Sequence, residues 1–218
     1  MADNKQILHF QQVFPSGSGD SQGKCRLLIQ SDVSSLAKSF MEETITPASR
    51  PHVRLPAAVV KAFGFRLETE DGDLVAGCTA YFANGATLQY RQSDADRATE
   101  ELPEDTLHDM FDAWLSNGTS FVLVTDFRLD AARGKGFGEW LARYVPRILS
   151  DVYGLTFGKV VVVLHEEAFE HIPEKGADAD GLDKKQLSYA MTTSLENLGY
   201  ERIEDEGYNG IMVFCSDR

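Results

Sequence analysis

The stretch from Ser120 to His165 constrains the fold of this chain more than any other part of it. An apolar strand-like run, "SFVLVTDFRLD", leads directly into "AARGKGFGEW". Beyond the glycines, Trp140, Leu141, Tyr144, Val145, Ile148 and Leu149 recur at helical spacing. "KVVVVLH" then forms a run apolar on both sides, which belongs to an interior strand. A strand–glycine loop–helix–strand unit at the centre of the chain implies an α/β or mixed α+β domain.

The glycines Gly134, Gly136 and Gly138 expose backbone N–H groups at the start of that helix, beside Arg133 and Lys135. Such N–H groups and the helix dipole favour an anion, and a phosphate suits the geometry best. A plain tight turn would also use glycine, but alternating glycines flanked by two cations exceed what a turn requires. A P-loop is excluded because Gly134-Lys135 is followed by Gly136 rather than Ser or Thr. A dinucleotide fingerprint is excluded because its third glycine would fall on Glu139.

The flanking segments read as follows. Ile7 to Phe14 is a strand or an arm packed elsewhere, and "PSGSGDSQG" (15–23) is a flexible connector, so residues 1–23 precede a single domain over 24–218. "KCRLLIQ" is a strand, after which Ser31 or Asp32 caps a helix with Val33, Leu36, Ala37 and Phe40 on its apolar face. The three prolines of "TPASRPHVRLP" mark a loop. "GFRLETEDGDLVAGCTAYFA" is a hairpin turning at Asp71-Gly72. An acidic helix from about Glu104 to Ser116 buries Leu107, Met110, Phe111, Trp114 and Leu115, and ends at Asn117-Gly118. "KQLSYAMTTSLENLGY" is a helix ended by Gly199, and residues 200–215 form a closing hairpin.

Composition narrows the partners. A net charge of −13 over 218 residues disfavours nucleic acid and anionic membrane surfaces, both of which call for surplus Lys and Arg. The absence of a long apolar run or a secretion-type N-terminus gives the expectation of a cytoplasmic protein. Cys25, Cys78 and Cys215 are odd in number and lie in apolar runs, so buried thiols are expected and no zinc site. "HEEAFEH" spaces its histidines too widely for a metalloprotease helix. His9, His52 and His108 show no partner pattern, and neither a nucleophile elbow nor a Cys-His signature is present.

What fits the glycine stretch is R-x-x-G-x-G, filled by Arg133, Gly136 and Gly138. Here the chain resembles the GCN5-related N-acetyltransferase (GNAT) superfamily, in which a strand leads into this motif and then a helix. "VVVVL" is similar to that superfamily's next strand, and "LENLGYERI" to its C-terminal element. The resemblance covers Ser120 to Cys215 and extends weakly back to Lys24. It implies a mixed, mostly antiparallel twisted sheet flanked by helices, with splayed strands forming an acetyl-CoA cleft. It further implies that backbone from Arg133, Gly134, Lys135, Gly136, Phe137 and Gly138 holds the diphosphate of coenzyme A. The pantetheine arm would pair with Phe127, Arg128 and Leu129. The implied activity is transfer of an acetyl group to a primary amine, small-molecule or protein, without a metal; a homodimer is common in the superfamily.

Direct attack on a thioester needs a proton acceptor for the amine and gains from a donor to the leaving thiolate. The superfamily's usual tyrosine acid is replaced by Leu195, and its upstream asparagine by Ser188. Tyr189, in the same helix, is the nearest substitute, or else a packing tyrosine. Asp126 is a candidate base, or a strand-end partner for Arg128. His165 ends the apolar strand where such sheets bind ligands and is a second candidate base, or else a solvated strand end. The acidic segment from Asp94 to Asp112 is a solvated helix face, or it borders a pocket for a cationic amine. The missing tyrosine also motivates an alternative: an acyl-CoA-binding module, weak or inactive in transfer, serving as a sensor. Pro146 in the helix after the loop implies a kink or a short helix.

Overall fold

A computed structural model describes residues 5–10, 25–33, 60–69, 71–72, 74–87, 98–129, 137–165, 184–203 and 211–218. Among them, eight strands make one sheet: β1 (Lys5–Phe10), β2 (Cys25–Val33), β3 (Val60–Thr69), β4 (Leu74–Ala83), β5 (Phe121–Leu129), β6 (Lys159–His165), β7 (Glu201–Ile203) and β8 (Ile211–Asp217), in the order β1-β2-β3-β4-β5-β6-β8-β7. Every neighbouring pair is antiparallel except β5 and β6. That exception follows from the covalent order, since a helix crosses over between these two strands. The architecture is thus a mixed α/β, mostly antiparallel sheet flanked by helices.

Helices cover both faces of the sheet: α1 (His108–Ser116) lies on one, α2 (Phe137–Asp151) and α3 (Lys184–Asn197) on the other. Leu107, Phe111 and Leu115 pack with Phe121, Leu123, Val161 and Val163 under α1. On the opposite face, Trp140, Leu141, Val145 and Leu149 of α2, with Met191 and Leu195 of α3, close over Phe65, Val122, Val124 and Val162. β6 alternates between the two clusters, which is why its sequence is apolar at every interior position.

Several expectations meet the structure at particular residues. The β3–β4 hairpin turns at Asp71-Gly72, where Gly72 has φ 91° and its N–H donates to the Thr69 carbonyl at 3.0 Å. The strand alternative for the N-terminal segment holds over Lys5–Phe10, which forms the sheet edge beside β2; the connector lies outside the described residues. Ser31 and Asp32 do not cap a helix. They continue β2 opposite Phe63 and Ala62, because cross-strand pairing with β3 outweighs the local capping signal; residues 34–40 lie outside the described residues.

Pro146 does not shorten α2, which runs on to Asp151. A proline at that position leaves the carbonyl of Ala142 without its helical N–H. The buried hydroxyl of Tyr200 donates to the Ala142 oxygen at 3.1 Å, so the side chain of the "LGY" element supplies what the helix lost. Helix α1 begins later than expected: Glu104 stands outside it, with φ 75° and ψ 64°, ahead of a short 3-10 turn at Asp105–Leu107.

Candidate active site

β5 and β6 pair only from Phe121–Val124 against Lys159–Val162. β5 continues to Leu129 alongside β4, and β6 continues to His165 alongside β8. The sheet therefore opens between its two halves at the C-terminal ends of its parallel strands. Backbone groups of β5 that face this opening have no ladder partner among the described residues. An unpartnered edge of that kind can hydrogen-bond an extended ligand.

The first residues past the parting are shaped by a bulge. Cys78 of β4 stands opposite two residues of β5, Asp126 and Phe127, between the pairs Thr79–Thr125 and Gly77–Arg128. Asp126 takes up the extra residue with φ 53°, left-handed backbone that a non-glycine side chain rarely adopts. The bulge resets the alternation of the strand. Thr125 is buried, Asp126 exposed, Phe127 buried with the α2 cluster and Arg128 exposed. Without it, Thr125 and Phe127 would point to the same face.

At the parting itself three side chains meet. Thr125 Oγ1 donates to Glu104 Oε1 at 2.8 Å, and the same oxygen lies 2.7 Å from His165 Nε2. Thr125 Oγ1 and His165 Nε2 are 3.5 Å apart across the opening. The Glu104 side chain is only 8% exposed, whereas His165 keeps 32% of its side chain in contact with solvent. Glu104 reaches this position because its own backbone is left-handed, which turns it out of the helix that follows. Glu104 and Asp126 are the non-glycine residues with positive φ among those described, and both stand at the mouth of the opening.

The local field is negative. Burial, then the charges of Asp126 and Glu104, raise the Tyr81 phenol above its ordinary value. Burial and, secondarily, Asp126 push the Cys78 thiol upward, so this free cysteine stays protonated and inert. His108, by contrast, is spent structurally, with Nε2 3.1 Å from the Leu102 carbonyl and 3.6 Å from Asp105.

Of the residues singled out in the sequence, Asp126 and His165 flank the opening. Phe127, Arg128 and Leu129 continue β5 along it, and Phe137 and Gly138 begin α2. Arg133, Gly134, Lys135 and Gly136 lie outside the described residues. Tyr189 is 74% exposed on α3, and no hydrogen bond or ion pair joins it to Glu104, Thr125 or His165 among the described residues. Its neighbour Ser188 contacts the Met212 sulfur at 3.8 Å instead. Leu195 is fully buried in the core. Sequence reasoning misses Glu104 and Tyr81 as individual site residues. In the sequence alone, Glu104 is the first residue of an acidic helix and Tyr81 one residue of a hairpin.

No family model and no curated protein matches the sequence. Among solved structures, the apo form of an agmatine N-acetyltransferase mutant is 15% identical, with 84% of this chain and 88% of that one covered at a TM-score of 0.40. A polyamine N-acetyltransferase of Drosophila melanogaster is 13% identical, covering 88% and 100%, at 0.41. Arylalkylamine N-acetyltransferase 2 from Aedes aegypti is 12% identical, covering 83% and 86%, at 0.37. Likenesses this distant carry no argument about chemistry, which rests on the residues of this chain.

Proposed function

We propose that this chain is a GNAT-type N-acyltransferase that uses acetyl-CoA to acylate a primary amine. The observation that carries the reading is the opening of the sheet at Val124 and Val162, directly before the R-x-x-G-x-G sequence and lined by His165, Glu104 and Asp126. The unpartnered edge of β5 fits the amide-bearing pantetheine arm, and the glycine stretch between β5 and α2 has the composition that holds a diphosphate.

Acetyl-CoA, when bound, supplies a thioester carbonyl whose carbon forms a C–N bond to the amine as its C–S bond breaks, so that ammonium and thioester give amide, free thiol and one proton. Thr125 to Leu129 would hold the pantetheine arm of the thioester along the free edge of the strand. Backbone N–H groups at the Asp126 bulge, past the end of the pairing with β6, would stabilise the negative charge that develops on the carbonyl oxygen. Asp126 draws a cationic amine into the opening, and His165 takes its proton so that the nitrogen lone pair is free to attack.

The direct test is thiol release from acetyl-CoA in the presence of mono-, di- and arylalkyl-amines. Amine-dependent release that falls sharply in His165→Gln is the expected result. A well-folded protein with no release against any amine would overturn the reading. One observation favours a second reading, an acyl-CoA-binding module with little transfer: Leu195, buried at the position of the superfamily's tyrosine, offers no proton to a leaving thiolate.

A further inference from the structure

We infer that Glu104 and Thr125 are positioning residues that fix the tautomer of His165, so that its Nδ1 is the atom that accepts the proton. This rests on the acyltransfer reading above. An ionised carboxylate only accepts hydrogen bonds. Glu104 Oε1, 2.7 Å from Nε2, therefore requires the proton of the neutral ring to be on Nε2. Thr125 spends its own proton on the same carboxylate oxygen at 2.8 Å, so toward Nε2 at 3.5 Å its hydroxyl has only lone pairs to offer. Both neighbours thus select the same tautomer. The lone pair left over is on Nδ1, which no hydrogen bond occupies among the described residues, on a ring whose side chain is one-third exposed.

The arrangement also has a use once the proton arrives. The imidazolium donates from Nε2 to a carboxylate that is 8% exposed, where a charge-assisted bond is stronger than in water. The left-handed backbone of Glu104 turns its carboxylate away from the helix that follows and toward the end of β6. The step balances: one proton passes from the substrate ammonium to Nδ1, the Nε2 proton stays in place, and solvent later removes the added proton.

Two measurements test this. Nitrogen-15 NMR of the histidine rings, with His165 assigned by loss of its signals in His165→Gln, reads the tautomer without any activity. The expected spectrum shows Nε2 protonated and Nδ1 as the bare nitrogen; the opposite tautomer would overturn the inference even in a fully active enzyme. In Glu104→Gln the side-chain amide can donate to Nε2, and the ring is expected to shift toward the Nδ1-protonated form. Turnover by Glu104→Gln should then fall about 10²–10⁴-fold, as a wrong-tautomer histidine does, with KM for acetyl-CoA nearly unchanged. Combining Glu104→Gln with His165→Gln should cost no more than His165→Gln alone. Additive losses, or a Glu104→Gln enzyme of unchanged kcat, would contradict the positioning role while leaving the acyltransfer reading intact. Absence of turnover in the wild type would strike at that reading alone, since the ring spectrum would still report the tautomer.

Discussion

At the residue scale, Lys61 and Asp126 carry features that pattern cannot reveal. Lys61 is buried on β3 at 4% exposure, and loss of hydration lowers its pKa from 10.5 to about 8. Below about pH 8 it is charged in both folded and unfolded chains, and burial of that charge costs its full amount. Above 10.5 it is neutral in both and the cost is gone, so this group makes stability rise with pH between those values. Lys61→Met is expected to stabilise the fold by about 1–3 kcal/mol at pH 7, with the gain shrinking toward pH 10.5 in urea melts. Asp126 poses a backbone question. A β-branched side chain at φ 53° is strained, so Asp126→Val should cost about 1–3 kcal/mol, whereas Asp126→Gly should be tolerated by thermal melting. His165 was legible because a histidine ending a five-residue apolar run is conspicuous. Glu104 was not, because its contact with a neighbour 61 positions away depends on a left-handed backbone that no local pattern in an acidic stretch reveals.

At the element scale, the strong periodicities held. The β3–β4 hairpin, β5, α2, β6 and the burial of Leu107, Phe111 and Leu115 under α1 were all readable, because each is set by a local apolar pattern. The beginnings of elements were less so. Ser31 and Asp32 look like helix caps but are claimed by β3, and Pro146 looks like a helix end but is accommodated by Tyr200. That accommodation predicts a coupling. With Pro146 in place, Tyr200→Phe leaves the buried Ala142 carbonyl unsatisfied and should cost about 1–3 kcal/mol. In a Pro146→Ala background the restored N–H bonds that carbonyl, and the same substitution should cost almost nothing. Equal costs in both backgrounds, measured by denaturant unfolding, would mean that the hydroxyl stabilises through its bond to Arg218 rather than through the Ala142 carbonyl.

At the scale of the whole molecule, the sheet is two antiparallel halves joined over a short parallel seam, and the His165–Glu104 pair stands at the end where that seam opens. The strand–loop–helix–strand order announced the seam in the sequence; where it stops did not show, because the parting depends on a bulge opposite Cys78 and on pairings to β4 and β8 that lie far apart in the chain. No described helix is long and apolar enough to cross a membrane. Under the proposed function, this opening receives a coenzyme A thioester. Calorimetric titration with acetyl-CoA, with ATP as the comparison, tests it most directly. Saturable binding of acetyl-CoA, much weaker binding of ATP, and loss of acetyl-CoA binding in Gly136→Glu are expected, since that side chain would bring bulk and negative charge to a sequence proposed to hold a diphosphate. Absence of acetyl-CoA binding by the folded wild-type protein, or binding unaffected by Gly136→Glu, would contradict it.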